Sequence, residues 1–275
     1  MANRRGKFQR TLAAAVQDIT ENGFDSPGRV QFWIDQLRVA AEESLISEAH
    51  LEAALRKSLG AAYRRLVDRG EIARHHPGIS KFTIQRLTPM MRAELDKRVM
   101  ASANLIRINR RAAIEKTLQR FEGWSTSIPK GGSKATDKSE VKEDVKKALA
   151  QLPFVERRVA IDQGHKLTAA ISEVVATGGG AIAAKWNSNW RQANYDYRED
   201  HRERDGKIYL LRASWAVDRG FVKPGGAGWW DDVTKPGEEP MCRCWATWIY
   251  AISALPSDMI TKKGAEALKQ ARQAA

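Results

Sequence analysis

Cysteine is scarce. The 275-residue chain has two, Cys242 and Cys244, one residue apart in the stretch PGEEPMCRCWATW. Two cysteines make no disulfide framework, and a bond across one residue would be strained. A reducing, cytoplasmic origin is therefore the expectation. No run of about 18 apolar residues occurs, so no membrane-spanning helix is expected. The opening MANRRGKFQR is basic but has no apolar core and no small-residue cleavage site, so it reads as non-secretory. Nucleotide and hydrolase signatures are also missing: no P-loop, no GxGxxG after a strand, no GxSxG and no HExxH. The glycine-rich GGGAIAAKW follows a helical pattern and precedes a strand-like one. That is the reverse of a phosphate cradle, and it reads as a turn. The pair His75-His76, beside Pro77, reads as an isolated, solvated loop pair.

Negative charge is the other shortage. Asp and Glu number 33 against 46 Lys and Arg, a net charge of +13 spread along the chain, which favours polyanionic partners. The apolar fraction of 43% is enough for a core.

The first 120 or so residues read as helices. Ser26 and Pro27 supply an N-cap and a first helical position, followed by Trp33, Leu37, Ala40 and Ala41 on one face. A second helix is expected from Ser47 through Leu51, Leu55, Ala62 and Leu66 to Gly70. A third starts at Thr88-Pro89 and carries Met91, Leu95, Val99, Leu105, Ile106, Ala112, Leu118 and Phe121 to Gly123, roughly 50 Å at 1.5 Å per residue. Its outer face is basic: Arg107, Arg110, Arg111, Lys116 and Arg120 are the candidate DNA-contacting residues.

Composition then shifts. STSIPKGGSKATDKSEVKEDVKK reads as a linker and a short charged helix ending before Pro153. Beyond it, FVERRVAIDQGHKLTAAISEVVATGGG is an amphipathic helix, and AIAAKW, KIYLLRASWAV and ATWIYAISAL are expected strands in a Trp-rich module. The expected class is α+β: a helical N-terminal part (1–128), a linker with a short helix (129–152), a small mixed α+β C-terminal domain (153–258) and a tail (259–275).

The chemistry-bearing residues gather in that module. His201 lies in NYDYREDHRERDG, some forty residues before Cys-Arg-Cys. One imidazole and two thiols are donors that zinc prefers. On an extended segment Cys242 and Cys244 would face the same side, with Asp196, Asp200, Asp205 or water as a fourth ligand. Beside this stand two other readings: small buried hydrophobes packed on Trp245 with His201 as a loop hydrogen bonder, and redox chemistry.

The order of these features resembles the C-terminal domain of the phage Mu protein F-like family of minor head, or head morphogenesis, proteins. The carrying residues are the helix ERRVAIDQGHKLTAAISEVVATGG, then KW, then YREDHRERDGKIYLL, then GGAGWWDDVTKPGEEPMCRCWATWIYAI. Arg198, His201, Gly206, Pro236, Cys242, Arg243 and Cys244 fall on the family pattern in order, within about residues 155 to 255. Asn194 and Asp196 stand where many members have Asp and Arg, and Glu238 and Glu239 where many have apolar residues and prolines. The resemblance implies a structural module of a virion protein made in the host cytoplasm and bound near the portal and other head proteins. Its basic helices would then touch double-stranded DNA through phosphates. The enzyme alternative is a zinc-stabilised nuclease with His201 as general base, although no His follows His201. A free DNA-binding regulator is the third class, with Ser47 to Lys81 imitating a helix-turn-helix.

Overall fold

A computed structural model describes residues 2–274, with side chains from residue 6 onward. The chain is mostly helical, with one small antiparallel sheet in its C-terminal part, as the α+β reading expects. In chain order the elements are α1 (Ala2–Asn22), α2 (Pro27–Ser44), α3 (Glu48–Tyr63), α4 (Glu71–His75), α5 (Lys81–Arg86), α6 (Thr88–Ser125), α7 (Lys138–Gly178), β1 (Ala183–Asn187), α8 (Glu199–Glu203), β2 (Ile208–Leu210), α9 (Trp215–Asp218), β3 (Trp245–Ile249) and α10 (Lys262–Gln273).

The chain forms two compact units, and both are discontinuous: Met1–Leu55 with Met100–Val159, and Arg56–Val99 with Ala160–Ala275. This differs from the linear division expected from composition. In the first unit, residues expected to be a linker are tied to the end of α1: Phe24 N donates to Ile128 O, Gly131 N to Asn22 O and Ser133 N to Thr20 O. Gly23 shows how close the two segments come. Its φ is +73°, and a Cβ there would fall 1.9 Å from Pro129 O, so only glycine fits. Pro153 does not stop a helix either: it lies inside the 41-residue α7, next to the buried Leu152. Phe154 beside it is 60% exposed, but buried residues earlier and later in the helix, Val145, Leu152, Leu167 and Ile171, anchor it and override the proline's poor helix propensity.

The first unit's core joins Leu12, Val16 and Ile19 of α1, Ile34 and Leu37 of α2, Leu118 and Phe121 of α6, and Val145 of α7. α2 begins as its sequence suggests: Ser26 Oγ accepts from Arg29 N and Pro27 opens the helix. On α6 the buried stripe is Met91, Val99, Ile106, Ala113, Ile114, Leu118 and Phe121. Leu105 and Ala112, expected inside, are exposed.

In the second unit, the sheet order is β2–β1–β3, with Ala183 opposite both Leu210 and Ile249. Side chains alternate between two faces. Ala184, Trp186, Tyr209 and Trp248 pack with Trp230, Cys242 and Cys244 on one side. Ile182, Ala183 and Leu210 pack with Val222, Ile252, Leu255 and Met259 on the other. The expected tail is part of this body: Val222 bridges Ile260, and Thr261 Oγ1 donates to Gly220 O and caps α10. His76, expected in solvent, is fully buried in the second unit, with Nδ1 2.6 Å from Tyr250 Oη and Nε2 3.2 Å from Ser172 Oγ.

Candidate metal centre

Three short segments converge beside the Trp186 face of the sheet. The one-turn α8 carries His201, with 1% of its surface exposed. The segment entering β3 carries Cys242 and Cys244, both free thiols and both buried. Its backbone is irregular rather than strand, yet the two thiols still face the same interior while Arg243 turns away. The register explains the third neighbour. Asn187 pairs with Trp245, so Ser188 is brought opposite Cys244, and its Oγ lies 3.7 Å from Cys244 Sγ.

The donor atoms meet closely. His201 Nδ1 is 3.7 Å from Cys242 Sγ and 3.5 Å from Cys244 Sγ, and all three donors lie within 4.8 Å of one another. A tetrahedral zinc with Zn–N of about 2.05 Å and Zn–S of about 2.3 Å requires an N···S edge of about 3.6 Å. Two thiols and an imidazole around such a point form a donor set for a borderline-soft cation. The thiols are electrostatically coupled. Cys242 is pushed down to about 5, chiefly by the hydrogen bond from the Cys244 thiol, against the opposing effect of burial. Cys244, the donor in that bond, is raised by it and by burial. The pair thus holds one thiolate near neutral pH, half of what a bound dication would require.

Around the donors lies a set of supports. The far nitrogen of His201, Nε2, is buried and 3.2 Å from Glu239 Oε2, close enough for an ion pair but not aligned as a hydrogen bond. Arg198 holds Glu239 with Nε at 2.6 Å and donates from Nη2 to Pro240 O at 3.0 Å. Tyr195 Oη accepts from Arg243 N at 3.1 Å, and the Arg243 guanidinium stacks over the Tyr195 ring. Met241 takes a left-handed φ of 60°, and its N–H is bound by Asp162 Oδ1 of α7 at 2.5 Å. Gly206, at φ +79°, lets the chain turn from α8 into β2 while its N–H donates to Trp186 O. Trp186 itself is fully buried and meets the His201 ring edge-on at 5.2 Å.

Arg198, Gly206 and Arg243 therefore all have structural work in this module. Sequence reading missed Asp162, Tyr195 and Glu239. Asp162 lies in the polar run ERRVAIDQGHK of α7, where nothing in the sequence singles it out. The carboxylates expected as a fourth ligand are engaged elsewhere. Asp200 pairs with Arg204, Asp205 accepts from Ser188 N and Trp190 Nε1, and Asp196 is exposed.

The candidate DNA face on α6 needs correction. Arg110 is buried, with Nε 2.7 Å from Glu156 and Nη1 donating to Ile46 O. Arg107 pairs with Glu48, and Arg120 with Asp144. Only Arg111 and Lys116 of the five are exposed without an ion pair among the described residues. A cation at the register of a buried stripe recruits a carboxylate on folding, which periodicity alone does not reveal. Arg107, Arg110 and Arg111 also border an open groove whose other wall has Glu42, Glu43 and Glu48, so its charge is mixed. Among the described residues no helix is long and apolar enough to cross a membrane. Comparisons with protein-family models, curated proteins and solved structures find no match for the chain.

Proposed function

We propose that the chain is a minor head protein of a tailed phage, similar to the Mu protein F-like family, with a structural role near the portal vertex and its second unit stapled by one zinc ion. The observation that supports this reading is the convergence of His201, Cys242 and Cys244 on one buried point. It joins the two halves of the pattern on which the resemblance rests, with Arg198 and Arg243 bracing the loop between them. His201, Cys242 and Cys244 would hold the zinc, and Glu239 would orient His201 through Nε2, as carboxylates orient metal-bound imidazoles. The metal would supply a cross-link between α8 and the segment entering β3, fixing the edge of the sheet. Burial of His201 favours this role over the nuclease, whose general base must reach a substrate proton. Contacts to packaged DNA would be non-specific and run through exposed cations such as Arg111 and Lys116.

Two measurements test the proposal. Elemental analysis of purified protein should find close to one zinc per chain, lost in Cys244→Ser. Mass spectrometry of heads produced by the phage or prophage carrying this chain should find it in a few copies per particle. Heads that assemble and mature without the chain would refute the assembly role.

A further inference from the structure

We infer that the metal's fourth position is filled from outside the chain, by water that a small anion can replace, through the cavity that Cys242 and Cys244 line. The inference rests on the metal reading above and adds an exchangeable position to it. Among the described residues, His, Cys, Asp and Glu supply only three convergent donors. The nearby carboxylates do not fill it: Asp200 is bound to Arg204, Asp205 to Ser188 N and Trp190, Glu239 to Arg198 on the opposite edge of the imidazole, and Asp196 is exposed and outside the donor group. The remaining neighbour, Ser188 Oγ, is a neutral hydroxyl, a poor ligand for a cation already bound by two thiolates.

Cys242 and Cys244 line a cavity of about 190 Å³, also walled by Ser172, Glu173, Trp230, Lys235 and Arg243. That space holds several waters. Trp230 has its indole Nε1 buried without an acceptor, so one wall carries a donor for which the chain provides no partner. Charge suits an anion there. Two thiolates cancel a divalent ion, and Arg243 adds one positive charge to the cavity lining while Lys235 and Glu173 pair with each other. A three-ligand site with an open fourth position differs from the closed four-ligand sites that only hold a fold together.

Cobalt(II) makes the position visible. Full-length protein stripped with chelator under reducing conditions and loaded with one equivalent of cobalt should show thiolate-to-cobalt charge transfer and the intense visible bands of a four-coordinate ion. Azide should then shift the visible bands saturably, with one azide per cobalt, and Ser188→Ala should leave the starting spectrum unchanged. Bands that ignore azide, or that change in Ser188→Ala, would overturn the exchangeable position while leaving the metal site standing. Failure to take up one cobalt would overturn the metal site itself.

Discussion

Acid should loosen the second unit, and His76 is where the effect can be isolated. Its ring is fully buried, hydrogen-bonded to Tyr250 and Ser172, and Ser172 Oγ also accepts from Trp248 Nε1 at 2.9 Å. Burial, with a smaller contribution from the neighbouring His75, pushes His76 down from 6.5 to about 4. The folded state thus prefers neutral His76, and the unfolded chain binds more protons between those values. The stabilisation is present above about pH 6.5 and is lost as pH falls toward 4. The difference between those two values is worth about 3.4 kcal/mol in full, of which about 2 kcal/mol is gone by pH 5. The assay is urea unfolding at several pH values between 7 and 5, followed by tryptophan fluorescence, for the native chain and for His76→Gln. His76→Gln should be less stable at pH 7, because it disturbs a buried hydrogen-bonded chain. Its stability should also fall less steeply with acid, by about 2 kcal/mol over that range. Equal slopes in the two proteins would refute the reasoning, because every other titrating group is common to both.

Removing zinc by chelation, or Cys244→Ser, should lower stability by about 2.7 kcal/mol at free zinc a hundredfold above Kd, read as a drop in melting temperature. Asp162→Ala should cost about 1–3 kcal/mol in urea, because the half-buried Met241 N–H loses its acceptor, and should weaken metal uptake by loosening the Cys242 turn. Arg110→Ala should destabilise the first unit by about 3 kcal/mol while leaving DNA affinity nearly unchanged, since its guanidinium is spent on Glu156 and Ile46. Arg111→Glu with Lys116→Glu should do the opposite, with lower affinity and a shallower dependence on salt in fluorescence anisotropy. Binding that barely changes with salt would refute the phosphate-contact reading.

The parts of this molecule that were legible in the sequence are those where local chemistry and packing agree. Ser26 and Pro27 start α2 because a side-chain acceptor and a fixed φ suit a helix entrance in any context. Thr88-Pro89 also marks the start of α6, but without a side-chain cap: Thr88 is its first helical residue and its Oγ1 donates to Ile84 O. The grouping of His201 with Cys242 and Cys244 was readable from donor type, although the forty intervening residues gave no distance. What escaped detection depends on long-range packing. Pro153 sits in a helix that buried residues on either side, such as Val145 and Leu167, anchor, and residues 128–133 are tied by backbone hydrogen bonds to residues 20–24, over a hundred residues away. His76 looked like a solvated loop residue because its partners, Ser172 and Tyr250, are remote in sequence. Glu239 looked like a departure from an apolar pattern, but it is the carboxylate facing His201.

All tryptophans except Trp33 and Trp124 belong to the second unit. Trp186, Trp230 and Trp248 form a series with centroids 6.1 and 5.5 Å apart, the first pair tilted and the second edge-to-face, and Trp186 at its end touches the His201 ring. Indoles this close couple their electronic transitions. The protein therefore carries its own optical reporter, an exciton signal in circular dichroism that depends on ring angles of a few tens of degrees. Events at Cys242 and Cys244, from ion capture to thiol oxidation, should register in that signal before any helix melts, without an added label.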